Sequence, residues 1–210
     1  MRSRRTAGEC AQYIQDVHAE LSFAQKIGEA ADDRRVLDFG AGAGWFLRQL
    51  GGGWDKSAIE IDESAVALWP SDIKRLWSFG YLAYQSYDLV VCHHVIEHCE
   101  HPEHVACDLA DVLRPGGAMI FATPDFDSPC AKRFGQNYRM LHDPGHISLF
   151  SRASAERFLV DHQFRILDVQ YPFPERYATP ENFARWNDTT KISPPWPGNW
   201  MTFYCTKSRR

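Results

Sequence analysis

Apolar residues recur along this chain at two alternating spacings, and the alternation predicts an α/β protein. Helical spacing of three to four positions marks segments 10–31, 45–50 and 103–113 and the stretch after Ser151. Shorter apolar runs lie between these segments, and the run 89–92 is continuous, as in a central parallel strand buried on both faces. Seven strands are therefore predicted. The first begins at Val36, the third lies within 72–79, and the others are 57–61, 89–92, 118–123, 165–170 and 201–205.

Three further segments in the second half of the chain carry local signals: the start of the helix after Ser151, segment 114–117 and segment 126–150. Ser151 is predicted to be the N-cap of that helix, with Ala155, Phe158, Leu159 and Val160 facing inward. The sequence RPGG at 114–117 predicts a sharp turn. Segment 126–150 reads as a long loop, and a loop of this length in a compact domain usually has a function.

The stretch 36–50, VLDFGAGAGWFLRQL, joins an apolar run to a glycine turn and a helix start. Gly40, Gly42 and Gly44 permit backbone conformations closed to other residues and allow a ligand to approach the main chain. The helix beyond them offers unpaired N–H groups. This pattern predicts a nucleotide-like cofactor at the end of the first strand.

The glycine spacing argues against a dinucleotide site. The G-x-G-x-x-G fingerprint would need its third glycine at Trp45 or Leu47, so a nicotinamide-dependent oxidoreductase is disfavoured. Glu60 follows the second predicted strand, where an acid accepts hydrogen bonds from ribose hydroxyls in Rossmann-like folds. Asp62 suits the N-cap of the next helix better than Glu60 does.

Three blocks together resemble class I S-adenosylmethionine-dependent methyltransferases. They are acid-x-G-x-G-x-G from Asp38, YDLVVCHHVIEH at 87–98, and the helix, LRPGG turn and strand that end in TPD at 125. The block ending in IEH is similar to the ubiquinone-pathway O-methyltransferase group. The resemblance covers about 36–125 and implies a Rossmann-like α/β fold, with a seven-stranded, mostly parallel sheet, helices on both faces and an antiparallel last strand.

The resemblance also implies one methyltransferase domain over 1–210. Its expected parts are an N-terminal helical cap at 1–34, a cofactor-binding half at 35–125, an active-site loop at 126–150, and a C-terminal helix and hairpin with an aromatic-rich insertion at 151–210. Residues 171–200 form that insertion, which is expected either to pack internally, to line a pocket or to make a homodimer contact.

The implied cofactor is S-adenosyl-L-methionine, with S-adenosyl-L-homocysteine as product. Its expected contacts are Asp38, Phe39, Gly40, Ala41, Gly42, Gly44, Glu60, Ile61, Cys92 and His93. No residue is assigned to the adenine ring, because no clear acid lies between Lys74 and Ser86.

Methyl transfer needs a general base only when the acceptor must lose a proton early. Histidine suits this role, and the candidates are His146, His142 and His94, with His146 preferred because its loop is expected to face the acceptor. The expected acceptor is a small molecule, a glycan or a lipid precursor. The alternative function is a non-catalytic S-adenosylmethionine-binding protein of the same fold.

A metal site within the block at 87–98 is an alternative that is considered and not predicted. His94 and His98 are four residues apart and would share the face of a helix. Some ubiquinone-pathway O-methyltransferases are thought to use a divalent cation here, with an acid at the position of His94. That ligand differs in this chain, and Pro102 interrupts the helix nearby.

Composition narrows the function classes further. The 210-residue chain is 44% hydrophobic and has a net charge of -4, which argues against a nucleic-acid backbone as partner. Its six cysteines form no C-x-x-C pair and read as reduced thiols. No apolar run is long enough to span a membrane and no secretory signal is visible, so a cytoplasmic protein is expected.

Overall fold

The centre of the fold is one seven-stranded sheet. The computed structural model describes residues 18–30, 34–81 and 84–208. The strands are β1 (Arg35–Phe39), β2 (Asp55–Ile59), β3 (Ile73–Leu76), β4 (Tyr87–His93), β5 (Leu113–Pro124), β6 (Phe164–Gln170) and β7 (Trp200–Lys207). They lie in the order β3-β2-β1-β4-β5-β7-β6. The strands from β3 to β5 pair in parallel, and β7 pairs antiparallel with both β5 and β6.

Seven helices connect or flank the strands. They are α1 (His18–Ala30), α2 (Trp45–Gln49), α3 (Glu63–Val66), α4 (Pro102–Val112), α5 (Pro129–Phe134), α6 (Arg152–Asp161) and α7 (Pro180–Trp186), counted over the residues that the structure describes. Short 3₁₀ turns lie at Phe79–Tyr81, Ile96–His98, Gly135–Asn137, Arg139–His142 and Glu175–Tyr177. Positions 10–17 and 31 of the first predicted helix lie outside the described residues.

Alternate side chains of β4 enter two different hydrophobic cores. Val90 and Cys92 pack in one core together with α4 and α6. Leu89 and Val91 pack in the other core with α1 and α2. All four side chains are fully buried, as the continuous apolar run predicted. The Rossmann-like fold class is thereby confirmed, with helices on both faces of the sheet.

The antiparallel last strand is inserted between β5 and β6, as the resemblance implied. Phe203 pairs with Phe121 on one side and Val169 on the other. Met201, Phe203 and Cys205 are completely buried. Among the described residues, no helix has the length and apolar character needed to cross a membrane.

Several local predictions need correction. Segment 126–150 is not an open loop, because it contains α5 and two 3₁₀ turns. Segment 114–117 lies within β5, where a register shift against β4 accommodates the extra residues. Ser151 caps α6 as predicted, but Val160 is 60% exposed. The inward face of α6 is set by Ala155, Phe158 and Leu159 at helical spacing, and Val160, about 100° beyond Leu159, lies outside that face.

Candidate functional site

The glycine loop leaves the end of β1 between β2 and β4. Gly40 N–H donates to the Ile59 carbonyl at 2.8 Å. Gly40, Gly42 and Gly44 all have left-handed backbone conformations, with φ of 76°, 53° and 71°. A Cβ on Gly40 would lie only 2.2 Å from Val95 Cγ2, whereas one on Gly42 would meet nothing within 4 Å. Gly40 is therefore required by protein packing, and Gly42 faces space that a ligand can enter.

Glu60 is held in place by three backbone donors. Strand β2 ends at Ile59, one residue earlier than Glu60 and two residues before the predicted end. Glu60 Oε2 accepts from Gly42 N–H at 2.7 Å. Its Oε1 accepts from the N–H groups of Ile61 and Asp62 at 2.8 and 2.9 Å. A carboxylate offers about four acceptor sites, so Glu60 is oriented beside the loop and keeps capacity for a ligand hydroxyl.

Asp38 is a buried carboxyl at the base of the same loop. It pairs with Ala58 of β2 and with Val91 of β4, and it is 3% exposed. Burial is the larger cause, and the negative charge of Glu60 the smaller one, that together raise the pKa of Asp38 to about 7. A positively charged ligand in the adjacent space would favour the ionised form.

Cys92 and His93 end β4 but differ in their surroundings. The Cys92 side chain lies inside the sheet core, and burial raises the pKa of its thiol well above the ordinary value. Burial, with a smaller contribution from His94, lowers the pKa of His93 to about 3, so this ring is neutral. His93 Nε2 is buried without a hydrogen-bond partner within the described residues. Its ring meets Phe46 edge to face at 5.6 Å. An unsatisfied buried nitrogen beside α2 is a group that a bound ligand could pair.

His94 turns the chain at the end of β4. Its φ of 53° is unusual for a residue other than glycine, and such conformations are often found at functional sites. Its N–H donates to the Ala122 carbonyl at 2.8 Å, and its Nδ1 lies 3.4 Å from Glu97 Oε1.

Glu97 is a buried, ionised carboxylate behind this turn. Burial alone would raise its pKa, but the imidazole of His94 beside Oε1 outweighs burial and lowers the pKa. Thr123 Oγ1 donates to Glu97 Oε2 at 3.2 Å. The N–H groups of Ile147 and Ser148 donate to the Glu97 carbonyl at 2.8 and 3.0 Å. These bonds join the 145–148 segment to the end of β4.

His98 and His146 face each other across that junction, with ring centroids 4.9 Å apart. His98 Nδ1 lies 2.8 Å from the Gly145 carbonyl, and His146 Nδ1 lies 2.7 Å from the Met140 carbonyl. A carbonyl only accepts, so each Nδ1 carries the hydrogen and each Nε2 of the neutral ring keeps its lone pair. Both rings are thus oriented to bind a proton or a cation through Nε2.

Glu97, His98 and His146 form a cluster that sequence reasoning did not identify. One potential ligand atom of each lies within 4.8 Å of the others, and two imidazoles with a carboxylate can hold a divalent cation. The His94–His98 pair weighed from sequence does not form on a helix, because Ile96–His98 is a 3₁₀ turn and His98 bonds to Gly145. A second group, His101, Glu103 and His104, is exposed.

The remaining candidates lie in different surroundings. His142 is exposed, with Nε2 3.0 Å from the Gln136 carbonyl, and does not join the cluster. Phe39 packs against Phe79 with ring centroids 5.0 Å apart. Ala41 and Gly44 lie in the loop with the side chain of Trp69 against Gly44. Ile61 is 93% exposed.

Trp77 is a candidate ligand contact that sequence reasoning missed. It follows β3 and is 70% exposed. Arg75 stacks on its ring at 3.7 Å and also donates from Nη2 to the Glu60 carbonyl at 3.4 Å. Exposed Ile61 and Trp77 thus follow the neighbouring strands β2 and β3, and Arg75 contacts both Trp77 and the Glu60 carbonyl. The only sequence signal was an aromatic residue after an edge strand.

Sequence comparison relates the chain to known proteins. A ubiquinone biosynthesis O-methyltransferase from Bordetella avium is 29% identical over 117 residues, which cover 49% of this chain and 48% of that protein. The chain thus spans about half the length of the curated relatives it matches.

Structural comparison shows the fold. An S-adenosylmethionine-dependent methyltransferase from Archaeoglobus fulgidus has a TM-score of 0.64 at 16% identity, covering 93% of this chain and 94% of that one. The cyclase SpnF has a TM-score of 0.66 at 14% identity, covering 100% of this chain and 85% of that one.

A family model described as a methyltransferase domain matches residues 4–169, which is most of the chain. The strand order and the glycine loop agree with that match. The chain therefore belongs to the methyltransferase domain family, and its fold is that of solved S-adenosylmethionine-dependent methyltransferases.

Proposed function

We propose that this protein transfers a methyl group from S-adenosylmethionine to a small-molecule acceptor, a class that includes glycan and lipid precursors. The observation that carries the proposal is Glu60, fixed by three backbone N–H groups beside the open side of Gly42. Two vicinal ribose hydroxyls need such an oriented acceptor.

The residues around the loop fit the cofactor. Glu60 would accept from its ribose, Ile61 and Trp77 would cover its adenine, and His93 Nε2 would gain the partner it lacks. Asp38, buried and about half protonated near pH 7 in the free protein, would become ionised opposite a cation. When bound, the cofactor supplies a methyl group on a positively charged, activated sulfur.

His146 is the proposed general base for an acceptor hydroxyl. Its Nδ1 donates to the Met140 carbonyl, which leaves Nε2 able to take a proton. Glu97, buried and ionised nearby, would stabilise the protonated pair of rings. The main task of the protein is alignment of donor and acceptor, since the leaving group is already activated.

Calorimetry with S-adenosylhomocysteine tests the cofactor site. Glu60→Ala should weaken binding by about 1.5–3 kcal/mol, the range for hydrogen bonds to a charged group. Glu156→Ala is the matched control, because that acid pairs with Arg152 on α6 and is not part of the loop site. Equal affinity of wild type and Glu60→Ala would remove Glu60 from the ribose role.

The second candidate function is a cofactor-binding protein without methyl transfer. It is kept because a cyclase shares this fold. A screen of phenols, amines and sugars with methyl-labelled cofactor separates the two. Transfer of label to any acceptor supports the first function, whereas normal cofactor binding without transfer across the screen supports the second.

A further inference from the structure

A second cavity lies away from the glycine loop, between the Arg139–His142 turn and the segment that contains α7. Its volume is about 520 Å³, within the range of small-molecule sites. Two arginines, Arg139 and Arg185, line it together with the polar side chains of Tyr177, Thr179 and Asn182. One acid, Glu181, also lines the cavity, so the charged side chains of its wall sum to one positive charge.

Arg139 is the unusual member of this wall. Its Nη1 is buried and makes no hydrogen bond among the residues that the structure describes. Its guanidinium carbon lies 6.0 Å from the ring centroid of Trp200, and its backbone N–H donates to Ser193 Oγ at 3.0 Å. A buried charged donor without an acceptor is costly. Since Arg139 also lines the cavity, an anionic oxygen bound there would lie beside its guanidinium.

The other polar groups leave donors for the same ligand. Arg185 uses Nη2 to donate to the Ile192 carbonyl at 3.0 Å, and a guanidinium has five N–H donors in all. Thr179 Oγ1 accepts from the Asn182 N–H at 3.2 Å, so its own hydrogen can point to a ligand. Ile192 and Pro195 add apolar surface. The cavity thus combines planar cationic donors with a partly apolar wall, which suits an organic anion.

We propose that this cavity binds the carboxylate or phosphate group of the methyl acceptor, with Arg139 as the principal donor and Arg185 as the second. The assignment rests on the proposed function. Arg139 directly precedes Met140, whose carbonyl orients the His146 ring. An anion held by Arg139 would therefore be anchored on the same turn that positions the proposed base.

Anion binding by the intact protein tests the cavity directly. Wild type, Arg139→Gln and Arg185→Gln are titrated with benzoate and with inorganic phosphate, and binding is followed by nuclear magnetic resonance. Arg133→Gln is the matched control, because Arg133 stacks over Trp186 at 5.0 Å and is not part of the cavity wall. Circular dichroism and thermal unfolding of each variant verify folding.

We expect wild type and Arg133→Gln to bind one of the two anions with the same affinity. The affinity of Arg139→Gln for that anion should be lower by a factor of about ten or more. Tighter benzoate binding would indicate a carboxylate, and tighter phosphate binding a phosphorylated acceptor. Binding of neither anion, or equal binding by a folded Arg139→Gln, would overturn the proposal.

Two further measurements separate this inference from the proposed function. Calorimetry with S-adenosylhomocysteine on the same samples tests the methyltransferase site alone. A failure there with intact anion binding would overturn the proposed function, and with it the anion's identity as a methyl acceptor, while the anion site itself would stand. Phenolic acceptors are then compared in pairs that differ only by a carboxylate or phosphate. Preferential methylation of the charged member, lost in Arg139→Gln, supports the anionic acceptor, and equal methylation of both members contradicts it.

Discussion

Asp38 and Glu60 flank the same glycine loop, yet their surroundings give them different chemistry. Glu60 is partly exposed and accepts three backbone hydrogen bonds. Asp38 is buried, and burial together with the charge of Glu60 raises its pKa to about 7. One acid is thus prepared to accept hydrogen bonds from a ligand. The other is about half protonated near pH 7 and would lose its proton when a positive charge binds beside it.

This difference predicts a pH dependence of cofactor affinity. Only ionised Asp38 attracts the sulfonium, so the dissociation constant of S-adenosylmethionine should rise about tenfold as the pH falls from about 8 to about 6. Calorimetry in buffers of different ionisation enthalpy should show proton release near pH 7. Asp38→Asn should abolish the release, whereas Asp72→Asn, which alters the pair of exposed Asp72 with buried Lys56, should not.

The Asp38 carboxyl also makes the free energy of unfolding of the cofactor-free protein depend on pH. The folded pKa is raised, so the folded protein holds a proton that the unfolded chain releases above about pH 4. The free energy of unfolding therefore falls as the pH rises from about 4 to about 7. A contribution of the opposite sign, obtained by subtracting the Asp38→Asn profile, would contradict the assignment.

His146 and His142 offer a matched pair at one turn. His146→Ala should lower the methylation rate of a hydroxyl acceptor by about 100-fold or more and leave S-adenosylhomocysteine affinity unchanged. His142→Ala should change neither, because that ring is exposed and outside the cluster. Rates are measured with methyl-labelled cofactor. Loss of activity on chelation, restored by a divalent cation, would instead make His146 a metal ligand and overturn the prediction of no metal.

At the scale of the element, the glycine loop combines two separate requirements. Gly40 is needed because Val95 packs where its Cβ would stand, and Gly42 because its open side faces the ligand space. Sequence spacing treats the two glycines alike. The structure separates them, since Val95 lies far along the chain and only the sheet brings it to the loop.

Alanine substitutions should therefore have different consequences in the loop. Gly40→Ala should lower the free energy of unfolding by about 2–4 kcal/mol, through overpacking and the left-handed backbone. Gly42→Ala should cost only about 1 kcal/mol of stability and should mainly weaken S-adenosylhomocysteine binding. Denaturant unfolding and calorimetry measure the two effects. Full affinity in Gly42→Ala would mean that the ligand does not approach this residue.

At the scale of the whole molecule, β7 completes a sheet whose binding edge is formed mostly by earlier strands. Its backbone pairs with both β5 and β6, and its inward side chains are completely buried. Lys207 Nζ also donates to the buried Leu113 carbonyl at 3.0 Å. The C-terminal strand is thus part of the core that supports the end of β5.

Removal of this strand should abolish cofactor binding from a distance. A chain ended after Asn199 should lose cooperative unfolding and S-adenosylhomocysteine binding, because two strands lose their partner and the core is opened. A chain ended after Lys207 is the control, since it keeps β7 entire. Cooperative unfolding of the shorter chain would show that the cofactor-binding half folds without β7.

Local sequence was sufficient for much of the fold and for part of the site. Asp62 caps α3 and Ser151 caps α6, as predicted, because a cap depends on residues only a few positions apart. The strand–glycine–helix pattern located the loop for the same reason. The predicted ends of the elements were less accurate. Val160 was assigned to the wrong face, because Ala155, Phe158 and Leu159 define the inward face and Val160 lies about 100° beyond Leu159.

The sequence by itself determined the α/β alternation, the glycine loop and the acid that follows β2. The tertiary structure decided which distant side chains meet. His98 reaches Gly145 across 47 positions, Glu97 gains His146 as a neighbour, and Arg139 shares a cavity with Arg185. The pKa of Asp38 depends in the same way on the strands that bury it. Local patterns depend on the nearest residues, whereas these contacts and burials exist only after the sheet and its connections have assembled.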